Sequence, residues 1–131
     1  MITGIDHVVI AVKDLDASIG KYQAMYGMKV SDQSEAPAAG MKMAFFRFPD
    51  TYTELVTATG DAGPIAKRLA DTGEGVHLVA MKVDNMESTL AELRAQGIRL
   101  VGDPGAGNPV TGQVFIHPAA TGGVLTQLVE R

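Results

Sequence analysis

The feature that most limits how this chain can fold is a repeat. The run Ile5-Asp6-His7-Val8-Val9-Ile10-Ala11-Val12-Lys13-Asp14-Leu15 returns in the second half as Val76-His77-Leu78-Val79-Ala80-Met81-Lys82-Val83-Asp84-Asn85-Met86. In each copy an apolar, largely β-branched stretch leads into a polar cap and then an amphipathic pattern, and branched side chains favour a pleated strand over a helix. A chain of 131 residues has the length of one domain. The two copies therefore share one compact domain rather than forming separate ones.

Residues 4–12 read as the first strand. Asp14 is placed as an N-cap, and Leu15, Ile19, Tyr22 and Tyr26 form one apolar helical stripe that stops at Gly27. Residues 28–30 are predicted to start a second strand, 35–40 to form a loop, 41–48 a third strand and 51–58 a fourth. The alternation puts Tyr52, Glu54 and Val56 on one face of the fourth strand and Thr53, Leu55 and Thr57 on the other. A connector and a short helix over 64–70 follow, with Pro64 in the first turn where proline is tolerated. The pattern then restarts: a strand over 77–83, a cap at Asp84 or Asn85, and a stripe of Met86, Leu90 and Leu93 ending before Gly97. A strand over 98–101 precedes a loop, 102–112, that holds four Gly and two Pro. A loop that long in a small domain is often close to a ligand. Strands over 113–117 and 124–129 complete the chain.

The reading is thus an α+β fold of two βαβββ modules in a single domain: module one about 1–59, a connector with a short helix about 60–74, and module two about 75–131. Each module leaves one sheet face apolar, so the two are expected to pair about a pseudo-two-fold axis into a cupped mixed sheet around a central cavity. In that arrangement equivalent positions meet: His7 with Leu78, and Glu54 with Gln127. A small-molecule ligand in the cavity is the expected partner.

Composition narrows the chemistry. With 46% hydrophobic and 20% charged residues and a net charge of −4, the chain is globular and has no electrostatic reason to bind nucleic acid or an anionic membrane. No apolar run approaches the roughly 20 residues of a membrane span, and no signal peptide is evident. A cytoplasmic location is expected. There is no cysteine, which excludes disulfides and thiolate chemistry and leaves His, carboxylate and amide groups as the only ligands for a metal.

Four residues carry the functional question. His7 reads either as a functional group or as a core histidine whose ring nitrogens are satisfied by neighbours. Glu54, flanked on its face by Tyr52 and Val56, needs a partner if buried, and none if the face is exposed. Gln127, between Leu125 and Val129, poses the same question with a smaller desolvation cost. His77 and His117 read as structural, the second at a strand end before Pro118.

The sequence resembles the vicinal oxygen chelate superfamily of glyoxalases, bleomycin-resistance proteins, extradiol dioxygenases and methylmalonyl-CoA epimerases. The likeness is strongest to the epimerase branch, through the first strand, Pro64-Ile65-Ala66-Lys67, Gly73-Glu74-Gly75-Val76-His77, Ile116-His117-Pro118 and Thr121-Gly122-Gly123-Val124-Leu125. The resemblance implies a divalent metal (Co, Ni, Zn or Mn) held between the modules by four positions, here His7, Glu54, Leu78 and Gln127. Two of the four depart: the family's fifth-strand histidine is Leu78, and its eighth-strand glutamate is Gln127. The implied metal is therefore weakly bound or absent, with His7, Glu54 and Gln127 as its only candidate ligands and Glu54 as the only carboxylate for proton transfer. The implied activity is a metal-assisted isomerisation or epimerisation through the enolate of an acyl thioester or related carbonyl compound. A metal-free small-molecule binding protein of the bleomycin-resistance type, or a glyoxalase I-like lyase, stays open. The resemblance also implies a homodimer.

Overall fold

The computed structural model describes residues 1–131 and contains eight strands and three α-helices. Two compact units divide it: residues 7–77, and residues 78–131 together with residues 1–6. No helix is long and apolar enough to cross a membrane.

In the unit of residues 7–77, β1 (Ile2–Ala11) leads through Asp14 into α1 (Leu15–Tyr26). The Asp14 carboxylate accepts the Ala17 N–H at 3.0 Å, and Gly27, at φ 65°, closes the helix in the left-handed conformation that favours glycine. Three strands follow, β2 (Asp32–Ala36), β3 (Met41–Arg47) and β4 (Tyr52–Ala58), and the strand order is β2-β3-β4-β1, with β1 parallel to β4 and the other pairs antiparallel. Helix α2 (Pro64–Thr72) closes the unit.

The second strand is where the sequence reading fails. Residues 28–30 do not form it. Met28 and Val30 instead pack against the core, and Val30 N–H donates to the Gln23 side-chain oxygen at 2.9 Å. The ladder begins at Asp32, opposite Phe45, and runs through Glu35 and Ala36, which had read as loop. This edge strand is polar and exposed along most of its length, so it carries no apolar alternation to detect.

One face of the sheet packs on α1 through Val12, Leu15, Ile19, Ala44, Phe46 and Leu55. Tyr26, the last residue of the predicted stripe, is 38% exposed, yet its ring still meets Phe46 edge-on at 5.4 Å. Strand pleat sends the alternate residues to the opposite face: His7, Val9 and Ala11 from β1, Tyr52, Glu54 and Val56 from β4, and Met43, Phe45 and Arg47 from β3.

The other unit repeats the plan. Strand β5 (Gly75–Val83) leads through the N-cap Asn85 into α3 (Met86–Ala95), followed by β6 (Leu100–Val101), β7 (Val114–Ile116) and β8 (Thr126–Glu130), ordered β5-β8-β7-β6. The helix-side core is Val83, Leu90, Leu93, Val114, Ile116 and Leu128. The buried Asp6 carboxylate receives two bonds from the Arg131 guanidinium, at 2.9 and 3.2 Å, which settles a charge that would otherwise be costly to bury. Residues 98 and 99, predicted as strand, lie outside β6.

Thr89, on α3, is fully buried, and its hydroxyl has no hydrogen-bond partner. Valine has nearly the same shape without the oxygen. Thr89→Val is therefore expected to stabilise the protein by about 1 kcal/mol, read as a higher midpoint of urea unfolding at unchanged slope. A lower midpoint would mean that the hydroxyl is hydrogen-bonded in solution.

Candidate functional site

Register decides which residues of the two units correspond. Val9 lies opposite Glu54 across β1 and β4, and Ala80 lies opposite Gln127 across β5 and β8. Phe45 and Phe115 complete the match, each standing opposite one of the two polar residues on the adjoining antiparallel strand. Two steps back along β1 and β5 come His7 and Leu78. The correspondence inferred from the repeat is thus matched by ladder position within each unit. His77, one residue earlier, points to the other side of β5 from Leu78.

On the face opposite α1, Glu54 is half-buried between Val9 and Phe45, with Val56 beyond it on the same strand. Burial among apolar groups disfavours the charged form, and the Arg47 guanidinium only partly offsets this, so the Glu54 carboxyl is pushed up to about 7. That places it among groups able to give and take a proton near neutral pH. His7 is buried, and its imidazole stacks on the Tyr52 ring with centroids 4.3 Å apart and planes 9° apart. The structure thus brings His7 and Glu54 onto one face of their unit. In the other unit Leu78 and Gln127 share the corresponding face, Leu78 buried and Gln127 half-buried.

The two remaining histidines have local roles. Burial lowers the pKa of His77, and nearby Arg68 lowers it further, while the Arg68 guanidinium itself donates to the Gly73 and Val76 carbonyls at 3.2 and 2.9 Å. His117 caps a short 3₁₀ turn, its Nδ1 accepting the Ala119 N–H at 3.0 Å. The 102–112 loop is tied down by Arg94, which donates to Asp103 at 2.7 Å and holds that carboxyl down to about 2, a hydrogen bond from Gly105 N–H adding to the effect. The loop and α3 border an open groove of about 590 Å³. A second groove, of about 650 Å³, runs past Lys13, Ser34, Lys42 and Thr57, and its lining includes neither His7 nor Glu54.

A model of the glyoxalase/bleomycin resistance protein/dioxygenase superfamily matches residues 6–115. The chain belongs to that superfamily. It is 33% identical to the mitochondrial methylmalonyl-CoA epimerase of Homo sapiens over 95% of this chain and 72% of the relative. Identity to the ethylmalonyl-CoA/methylmalonyl-CoA epimerase of Cereibacter sphaeroides is 31%, over 98% of both chains. Among solved structures, a Streptomyces coelicolor methylmalonyl-CoA epimerase variant in complex with 2-nitronate-propionyl-CoA superposes with a TM-score of 0.83 at 33% identity, covering 99% of this chain and 95% of the other. Fold and sequence agree on an epimerase-like member of the superfamily.

The metal implied by the family can be tested against the donors present. His7 and Glu54 supply an imidazole and a carboxylate, Gln127 a neutral amide and Leu78 nothing; no group of three or more His, Cys, Asp or Glu side chains able to hold a metal occurs in the protein. Catalytic sites for borderline cations normally retain three good protein donors. These residues do not fit the four-donor centre.

The feature that sequence reasoning missed is Arg47. Its guanidinium lies 4.8 Å from the Phe45 ring centroid and 5.0 Å from that of Tyr52, and it pairs with Asp32. Alternation with Phe45 along β3 could have placed it on the Glu54 face. Its partner Asp32 lies on the strand whose position was misread.

Proposed function

We propose that this protein binds a small acyl thioester or related carbonyl compound with an acidic α-hydrogen and that Glu54 moves that proton. The observation that carries the reading is the placement of Glu54: a lone carboxylate in apolar surroundings, on the same sheet face as His7. The Glu54 carboxylate takes the α-proton; the C–H pair collapses into an enolate; His7, two residues along β1 from the register partner of Glu54, offers an N–H to the developing oxyanion. The proton then returns from the Glu54 carboxyl to carbon. Apolar walls around Glu54 keep it basic by denying its charge full hydration.

A single carboxylate returns the proton to the face it came from. Exchange with solvent is therefore expected to outrun inversion at carbon. The test is to incubate the protein with methylmalonyl-CoA in deuterium oxide and follow label at the α-carbon together with optical purity. Label entering faster than racemisation, and lost in Glu54→Ala, supports the reading; exchange unchanged in Glu54→Ala removes Glu54 from the mechanism.

A second reading rests on Leu78. A buried leucine at the position that register makes equivalent to His7 suits a cavity that holds an organic ligand without turning it over. Tight binding of methylmalonyl-CoA by calorimetry with no deuterium incorporation would favour it.

A further inference from the structure

The imidazole of His7 is held by a chain of contacts that crosses all four strands of its unit. Asp32 is on β2, Arg47 on β3, Tyr52 on β4 and His7 on β1. Register sets them side by side: Arg47 stands opposite Tyr52, and Tyr52 opposite His7. The Asp32 carboxylate accepts from Arg47 Nε at 2.7 Å and Nη2 at 3.0 Å, a forked pairing that fixes the plane of the guanidinium as well as its place. The Arg47 backbone is pinned too, its N–H donating to Ser31 Oγ at 3.0 Å. The guanidinium lies 5.0 Å from the centroid of the Tyr52 ring, and the His7 imidazole stacks on that ring at 4.3 Å with 9° between planes. Phe45 braces Tyr52 edge-on at 5.7 Å.

Geometry gives this stack a consequence for chemistry. Both imidazole nitrogens, with their N–H or lone pair, lie in the ring plane. A ring held flat on Tyr52 can donate or accept only close to parallel to the Tyr52 plane, so Tyr52 sets the plane in which any His7 hydrogen bond lies. Free rotation of the imidazole would cost side-chain entropy each time a ligand bound. The stack meets that cost at folding.

We infer that Tyr52 is a positioning residue for His7, held in place by the Arg47–Asp32 pair, and that it acts through its ring face. The inference deepens the reading in which His7 and Glu54 form the site, since it says how the first is aimed. Asp32 and Arg47 are about half-exposed, with side-chain accessibilities of 45% and 49%. They can therefore be altered without opening the core.

The test uses the ligand-free protein, so it is independent of whether any substrate is turned over. Proton–carbon correlation spectra of the His7 imidazole are recorded for wild type, Tyr52→Phe, Tyr52→Leu and Asp32→Asn. The Tyr52 ring current should displace the His7 ring protons upfield; this displacement is kept in Tyr52→Phe, lost in Tyr52→Leu, and reduced with line broadening in Asp32→Asn. Identical His7 signals in wild type and Tyr52→Leu would overturn the inference. Should Tyr52→Leu not fold, Asp32→Asn decides: unchanged His7 signals there remove the clamp. Methylmalonyl-CoA affinity read on the same proteins should fall by about tenfold in Tyr52→Leu and recover in Tyr52→Phe. If no variant, nor wild type, binds the thioester while the spectra behave as stated, the substrate reading fails and the positioning of His7 stands.

Discussion

At pH 8, Glu54→Gln is expected to abolish α-proton exchange and at the same time make the protein more stable. Burial raises the Glu54 carboxyl from its ordinary 4.5 to about 7. Between those values the native state binds more protons than the unfolded chain, so stability falls as pH rises from about 4.5 to about 7 and then levels off. The gap corresponds to about 3 kcal/mol at most, because each pKa unit is worth about 1.4 kcal/mol. Glutamine keeps the shape and removes the charge, and so removes the penalty. Chemical unfolding at pH 5 and pH 8 reads the effect: the variant should gain stability over wild type at pH 8 and little at pH 5. His77, whose pKa is lowered, works in the opposite sense, with stability lost as pH falls below its ordinary 6.5. The comparison of Glu54→Gln with wild type isolates the glutamate because His77 is present in both. Equal differences at the two pH values would show that Glu54 is well solvated. A group that costs stability in its working form, set among Val9, Phe45 and Val56, is where a fold gives up stability for chemistry.

The second large effect concerns divalent metal. Wild type is expected to show weak or no binding of Co²⁺ or Ni²⁺ by calorimetry, and the double variant Leu78→His, Gln127→Glu to bind at least about tenfold more tightly. The resemblance assigns all four positions to one ion. The double change supplies an imidazole at the register equivalent of His7 and a carboxylate at that of Glu54, which raises both the number of donors and their charge. Leu78 is buried, and a histidine side chain is no bulkier than the leucine it replaces, so the substitution adds no volume there. Unchanged affinity in the double variant would mean that the departures at these positions are not what sets metal affinity.

Much of this was legible in the residues. The β-branched runs, the Asp14 cap and the glycine after α1 each specify local structure through nearby atoms only, and each was read directly; for the second cap the sequence offered Asp84 or Asn85, and the structure gives it to Asn85. Apolar alternation likewise put Leu55 and Glu54 on opposite faces of the fourth strand, and the structure shows Leu55 on the face that meets α1. The polar edge strand β2 was not legible, because its reason for being a strand is the β3 ladder and not its own side chains. The link from Asp32 through Arg47 and Tyr52 to His7 was hidden for the same reason: those residues are far apart in sequence and are neighbours only through strand register.

What the sequence determined by itself is therefore the pair of βαβββ units and the correspondence of His7 with Leu78 and of Glu54 with Gln127. These follow from periodicity and residue type, which need no partner to be read. Tertiary structure decided how the groups behave. The upward displacement of the Glu54 carboxyl comes from the apolar side chains that pairing brings around it, and the plane of the His7 ring from a stack across four strands. Both depend on which residues face one another, and that is a property of the folded sheet.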